Sequence, residues 1–151
     1  MQHPWTQLCV HLVWSTWQRA PLITPEIKPR LYGVLQHQAS RLGADVIAIG
    51  GIEDHVHVLL PYPPRLALSD LVQRMKGASS HFVTHVMRSP DAFEWQGAYG
   101  AFTLTKRAVP HVRDYVLNQE KHHREGSLYR ELERDEELKP HPRTAQFAVR
   151  G

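Results

Sequence analysis

The stretch "ADVIAIGGIEDHVHVLLPY", residues 44–62, decides the fold, because it contains two short apolar runs separated by a few turn-forming residues. Apolar runs of this length, here 44–52 and 55–62, are typical of buried strands. The junction "GGIED" is short enough for an antiparallel hairpin, with Gly50 or Gly51 suited to a bulge or a tight turn. We therefore expect a β-hairpin at this point of the chain.

Strands and helices alternate on both sides of the hairpin. An apolar run predicts a strand near residues 7–14, and apolar residues at helical spacing predict a helix over about 28–41. After the hairpin, a helix is expected from a cap at Ser69 to just before Pro90, and "AFTLT" predicts a fourth strand. The order strand–helix–strand–strand–helix–strand is that of an α+β fold, a ferredoxin-like antiparallel sheet (βαββαβ) with helices on one face.

Two further helices are predicted beyond the sheet. The first is an added C-terminal helix over residues 110–125, which carries Tyr115 between a proline at its start and a glycine at its end. A charged helix is expected over about 128–138. We therefore predict one domain, residues 1–138, followed by a flexible C-terminal tail, residues 139–151.

The composition excludes several classes of protein. Cys9 is the single cysteine among 151 residues, which excludes an internal disulfide framework and a cysteine-rich zinc site. No apolar run approaches the roughly 20 residues of a membrane span, and the N-terminus lacks the pattern of a signal peptide. The formal net charge is +3, and the surplus lies within residues 61–126, which is compatible with a polyanionic partner. We expect a cytoplasmic protein that does not associate with membranes.

The second strand of the hairpin carries two histidines where aliphatic residues would pack better. His55 and His57 are two residues apart and point to one face of the strand, while Val56 and Val58 point to the other. Two imidazoles at this spacing can bind one cation or one phosphate. They are equally compatible with a pair of half-exposed residues at a strand end, so the strand alone leaves both interpretations open.

The helix over 110–125 carries the other candidate groups. Tyr115 and Gln119 are four residues apart and share a face. Tyr115 by itself is compatible with a core aromatic residue, whereas Gln119 is harder to explain by packing, because a buried amide requires hydrogen-bond partners. His122 and His123 extend the polar face and are interpreted as solvated residues at the helix end, where a cationic imidazole favours the helix dipole.

Together these groups predict a metal-assisted reaction. The two imidazoles and the carbonyl oxygen of Gln119 form a mixed nitrogen and oxygen ligand set, which suits a divalent cation such as Mg²⁺ or Mn²⁺. Tyr115, one helical turn from Gln119, is then a candidate nucleophile that attacks a phosphodiester and forms a covalent phosphotyrosine.

These residues lie in motifs that resemble those of the single-tyrosine HUH transposases of bacterial insertion sequences (TnpA-like), including the REP-associated tyrosine transposases. The resemblance extends from about residue 11 to residue 133, and its most specific element is H-x-H at 55–57 followed by Y-x-x-x-Q-x-x-x-H at 115–123. The motifs that carry it are "IGGIEDHVHVLL", "LSDLVQRMKGASS", "FEWQGAYGAFTLT" and "VRDYVLNQEKHH".

The resemblance implies a function and assigns roles. His55 and His57 would be the metal-binding pair, Gln119 the third ligand of Mg²⁺ or Mn²⁺, and Tyr115 the nucleophile. The chain would be a transposase, a metal-dependent single-stranded DNA endonuclease and strand transferase that cleaves and rejoins DNA at hairpin-marked element ends through a 5′-phosphotyrosine. It would act as a homodimer, in which the tyrosine helix can be exchanged between subunits.

A single-stranded DNA substrate with hairpins implies residues that contact it. Basic and hydroxyl side chains in the "KGASS" helix and before residue 110 are the candidates. They are Arg74, Lys76, Ser79, Ser80, Lys106 and Arg107. A solvated surface would explain the basic residues equally well, and helix packing would explain Ser79.

Other interpretations of the histidine strand lead to different classes of protein. In a nucleotide hydrolase of the histidine-triad type the next alternate position would be a third histidine, but here it is Leu59. A domesticated descendant would bind hairpin DNA or process REP elements without transposition. A metal-free RNA-binding ferredoxin-like module would show stacking aromatics on its central strands, and residues 44–60 have none.

Overall fold

The computed structural model describes residues 2–135, so the tail predicted at 139–151 and the end of the predicted fourth helix lie outside the described residues. Within residues 2–135 the chain forms a four-stranded sheet in the order β2-β3-β1-β4, in which all neighbouring strands are antiparallel. The strands are β1 (Cys9–Ser15), β2 (Ala48–Ile52), β3 (His55–Pro61) and β4 (Gly100–Thr103). This order and the intervening helices confirm the predicted ferredoxin-like α+β fold.

Four α-helices accompany the sheet in the described part of the chain. They are α1 (Ile27–Arg41), α2 (Leu68–His81), α3 (Val109–Leu117) and α4 (Gln119–Glu125). Helix α2 continues as a π-helical turn, Phe82–Val86, and a 3₁₀ turn, Arg130–Glu133, follows α4. Among residues 2–135 no helix has both the length and the apolar character that crossing a membrane requires.

The sheet has two chemically different faces. Alternate residues of β1 and β3, such as Leu12 and Val58, pack with α1 and α2 into the main hydrophobic core; we call this the apolar face. The intervening residues, among them His11, His55 and His57, point to the opposite side, which we call the histidine face. Helix α3 covers part of that face and packs on it through a small apolar cluster. The cluster consists of Ala48, Leu59, Val112 and Val116.

Gly50 allows α3 to approach the sheet closely. The expectation that Gly50 or Gly51 forms a bulge or turn is wrong, because both lie within β2 and the hairpin turns at residues 53–54. A Cβ atom built at Gly50 would overlap the backbone carbonyl of Val116 on α3. The missing side chain therefore fixes how near α3 lies to the histidine face.

The chain after α3 differs from the prediction. The helix expected over 110–125 is broken at Asn118, which has φ −111° and ψ 30° and whose side chain donates a hydrogen bond to the Asp114 carbonyl at 2.7 Å. Asparagine favours such local bonds over helix continuation. The helix expected from 128 does not form in the described residues, because Tyr129 is extended, with φ −88° and ψ 92°. Two short helices, α3 and α4, therefore replace the first predicted helix, and within the described residues one 3₁₀ turn stands where the second was expected to begin.

Candidate functional site

The two histidines of β3 are buried and aim the same ring atom at one point. His55 and His57 are 1% and 0% exposed. The Nδ1 atom of His55 lies 2.7 Å from a carboxylate oxygen of Asp54, and Nδ1 of His57 lies 2.9 Å from Nε2 of His11. Partners on Nδ1 fix the ring orientation and leave Nε2 for a ligand, as is usual for metal-binding histidines.

His11 of β1 is a member of this site that the sequence analysis did not identify. Its ring stacks on that of His57, with centroids 5.0 Å apart and planes at 8°. Burial, and then the proximity of His57, lowers the pKa of His11 to about 3. A neutral His11 can accept the Nδ1 proton of His57, which leaves the Nε2 lone pair of His57 free. The available signal was a single histidine within the apolar stretch of β1, residues 10–14.

Tyr115 lies on α3 directly beside the histidines. Its ring edge meets His57 at a centroid distance of 5.9 Å, and its other side stacks on Tyr129 at 4.4 Å. The hydroxyl donates a hydrogen bond to the Glu133 carboxylate and accepts one from the backbone N–H of Tyr129 at 3.2 Å. Burial, together with Glu133, raises the pKa of Tyr115 well above its usual range, so the hydroxyl is protonated at neutral pH.

Gln119 and His123, at either end of one turn of α4, close the site from the other side. The Gln119 side chain is buried, and its Oε1 lies 3.4 Å from Nε2 of His55 and 3.1 Å from Nε2 of His123. Nε2 of His123 lies 3.1 Å from Nε2 of His55. His123 therefore differs from the predicted solvated helix end: it lies four residues after Gln119 on α4 and shares the inward side of that residue.

Glu133 is a residue of the site to which the sequence analysis gave no role. Its Oε2 lies 3.3 Å from Nε2 of His55 and 3.2 Å from Nε2 of His57. Burial opposes its charge, but the contacts with these imidazoles and with Tyr115 hold the pKa of Glu133 far below its usual range. Burial also disfavours the charged form of His55, which by itself would lower its pKa. The neighbouring carboxylates of Asp54 and Glu133 outweigh burial and raise the pKa of His55 to about 9. Glu133 sits in the acidic run "ERDEE", in which no spacing distinguishes it.

The donor atoms fit a divalent cation. One ligand atom each from His55, His57, His123 and Glu133 lie within 4.8 Å of one another. Nε2 of His57 is buried and forms no aligned hydrogen bond within the described residues, so a lone pair is available there. Imidazole nitrogens mixed with carboxylate and amide oxygens are ligands that a divalent cation accepts.

The candidate DNA contacts lie elsewhere. Arg74, Lys106 and Arg107 are exposed on α2 and before α3. Ser79 is fully buried, where its hydroxyl donates to the Met75 carbonyl at 2.7 Å and accepts from the Trp95 indole at 2.9 Å. In the described part of the chain no hydrogen bond links these residues to the histidines.

Two other candidate contacts have different surroundings. The Lys76 amine donates to the backbone carbonyls of Gln96 and Ala98, each at 2.7 Å, and Ser80 is half-buried. Lys76 and Ser79 thus already have partners inside the fold.

Comparison with known proteins agrees with the resemblance that the sequence motifs indicated. Residues 5–119 match the family model described as IS200-like transposase. The chain is 29% identical over 118 residues to the ISDra2 transposase TnpA of Deinococcus radiodurans, a match that covers 75% of this chain and 84% of that protein.

Two solved structures share the architecture. A candidate transposase from Deinococcus radiodurans R1 superposes with a TM-score of 0.61 at 25% identity, over 79% of this chain and 96% of that one. A REP-associated tyrosine transposase bound to a REP hairpin superposes with a TM-score of 0.58 at 14% identity, over 85% of this chain and 74% of that one, and supports the fold alone. Because the family model spans most of its length, this chain belongs to the IS200-like transposase family.

Proposed function

We propose that this transposase cleaves and rejoins single-stranded DNA, with Tyr115 as nucleophile and with His55, His57 and Gln119 holding Mg²⁺ or Mn²⁺. The observation that supports this most directly is the convergence of three groups on one carboxylate. The Tyr115 hydroxyl and the Nε2 atoms of His55 and His57 all contact Glu133. The proposed nucleophile and the two proposed metal-binding nitrogens therefore share one small volume, as metal-assisted attack on a phosphodiester requires.

Each protein group has its own role in the proposed reaction. The Tyr115 oxygen attacks the phosphorus as its proton leaves, the bond to the 3′ oxygen breaks, and that oxygen gains a proton and departs as a 3′-OH. The 5′ phosphate stays on Tyr115 until another 3′-OH attacks it, which releases the tyrosine and rejoins the strands. Asp54 and His11 keep the two imidazoles oriented throughout. A bound divalent cation supplies Lewis-acid polarisation of the phosphodiester.

The proposed substrate is single-stranded DNA that carries hairpins. A relative of the same fold has been solved with a REP hairpin. Exposed Arg74, Lys106 and Arg107 are proposed as contacts to the DNA backbone, and Lys76, Ser79 and Ser80 stay as weaker candidates, because the first two already have partners in the fold. We also propose a homodimer. Exchange of the tyrosine helix is not needed to assemble the site, because Tyr115 contacts His57 of its own chain.

The histidine-triad alternative receives no support from the third alternate position of β3. Leu59 is fully buried beneath α3, in the small apolar cluster. A domesticated protein that binds or processes hairpins without transposition keeps the same site, so it is an outcome of the experiment rather than a second proposal.

The test is covalent capture of the DNA. The protein is incubated with labelled hairpin-bearing single strands from the gene's own flanks and Mn²⁺, and a denaturant-resistant adduct is sought. We expect the adduct with the parent, none with Tyr115→Phe, and parental amounts with Tyr32→Phe. The last variant removes a buried hydroxyl that has no hydrogen bond within the described residues, outside the site. Equal adduct with Tyr115→Phe would show that another residue is the nucleophile. Hairpin binding without any adduct would favour a binding protein.

A further inference from the structure

Glu133 contacts each group on which the proposed reaction depends. We propose that Glu133 is itself a ligand of the divalent cation and holds the Tyr115 hydroxyl beside it. This inference rests on the proposed function and deepens it, because it adds a carboxylate from the far end of the described chain to the predicted ligand set.

The distances between the donor atoms fit those of neighbouring ligands on one ion. Adjacent ligands of an octahedral cation with bonds of about 2.0–2.1 Å lie about 3 Å apart. Oε2 of Glu133 lies 3.3 Å and 3.2 Å from the two histidine nitrogens. The spacing repeats between His55 and His123, at 3.1 Å, and between His123 and Gln119, also at 3.1 Å. The carboxylate oxygen is thus placed as a further ligand of the same ion.

The charge that a bound divalent cation needs also favours Glu133 as a ligand. Imidazoles that bind a metal are neutral, so they and the amide of Gln119 bring no negative charge, whereas a divalent cation in a buried site is costly without it. Asp54 reaches the site only through the far side of the His55 ring, at Nδ1. Glu133 brings a formal negative charge to the nitrogens themselves, and a carboxylate oxygen is the ligand type that Mg²⁺ and Mn²⁺ prefer.

Several contacts position Glu133. Tyr129 stacks on Tyr115 at 4.4 Å and donates its backbone N–H to the hydroxyl. Leu132 packs against the small apolar cluster under α3. With these contacts in place, Oε2 faces the histidines while Oε1 accepts the hydrogen bond from Tyr115. One carboxylate can therefore bind the cation and orient the nucleophile together.

Calorimetric titration of Mn²⁺ into metal-free protein tests the assignment without relying on activity. We expect Glu133→Gln to weaken Mn²⁺ binding by more than about 100-fold, beyond the roughly 10–100-fold loss that is typical when a partner of a ligand is removed. The matched control is Glu131→Gln, an exposed carboxylate on the same 3₁₀ turn, which should bind Mn²⁺ as the parent does. Glu133→Asp keeps the charge but shortens its reach, and should bind with an affinity between those of the parent and Glu133→Gln. Thermal unfolding in EDTA establishes that each variant is folded.

The opposite results separate this inference from the proposed function. If Glu133→Gln and Glu133→Asp bind Mn²⁺ as tightly as the parent, or more tightly, Glu133 is not a ligand. If His57→Ala loses Mn²⁺ binding in that same series, only the assignment of Glu133 fails. If His57→Ala also binds like the parent and Tyr115→Phe still forms the adduct, the proposed function fails as well.

Discussion

The two faces of the sheet are built from the same two strands and are equally well buried, but they are stabilised in different ways. On the apolar face, Leu12 and Val58 are fully buried and pack against α1 and α2. On the histidine face, His11 and His57 are just as inaccessible, but their contacts are hydrogen bonds and ring stacking with other polar groups. Burial of a hydrophobic group is favourable by itself, whereas burial of an imidazole requires partners. Stability should therefore depend mainly on the first face and chemistry on the second.

Substituting one residue on each face of β3 should give the largest difference between an effect on activity and an effect on stability. His57→Ala should reduce adduct formation and Mn²⁺ affinity by more than about 100-fold, since it removes a ligand rather than a partner of one. Val58→Ala, the next residue, should destabilise the fold by about 2 kcal/mol through lost packing and leave the activity of the folded protein unchanged. Adduct assays, Mn²⁺ titration and urea unfolding measure the three quantities.

The contrast fails if the two variants behave alike. Loss of Mn²⁺ binding in folded Val58→Ala would mean that packing on the apolar face controls the ligand geometry. Parental activity in His57→Ala would mean that the imidazole has a structural role only.

Gly50 tests how α3 is held against the histidine face. In Gly50→Ala the new methyl group meets the Val116 carbonyl, so α3 must move away and carry Tyr115 with it. We expect a loss of about 1–3 kcal/mol in stability and a roughly tenfold to hundredfold fall in adduct formation. Gly33→Ala is the control, because Gly33 lies in α1 with open space around it and alanine there should stabilise the helix by about 0.5–1 kcal/mol. Parental adduct yield from Gly50→Ala would show that α3 can shift without cost to the site.

The same difference between the faces explains what the sequence could predict. Period-two alternation in β3 is a local property, so the shared face of His55 and His57 was predictable from the strand alone. The shared side of Tyr115 and Gln119 follows from their spacing of four residues and survives the break between α3 and α4. Predictions of this kind need only the geometry of one element.

The partners of these residues depend on tertiary contacts instead. His11 contacts His57 because β1 pairs with β3, and no periodicity within β1 indicates that contact. Glu133 arrives because the chain breaks at Asn118 and turns back after Gly126, which has φ 69°. Asparagine inside a helical pattern and one acid among several are weak local signals, so the charge that completes the site was missed.

The smallest expected effect concerns Lys76 on α2, whose amine lies on the apolar side of the sheet. Its Nζ lies 6.0 Å from the centre of the Trp14 ring and donates to two backbone carbonyls. Burial lowers the pKa of Lys76 to about 8, from an ordinary value of 10.5. Between these two pH values the unfolded chain binds more protons than the folded chain, so this group makes the free energy of unfolding rise with pH. This contribution to the free energy of unfolding is absent in Lys76→Met.

The difference in unfolding free energy, parent minus variant, should therefore increase between pH 7 and pH 10. Solvent screening of a half-buried amine keeps this increase small. Urea unfolding of both proteins across this range measures it, and the titration of other groups cancels in the difference. A difference that is flat or falls with pH would mean that the amine is as well solvated in the folded chain as in the unfolded one, and that the apolar face tolerates charge at this position.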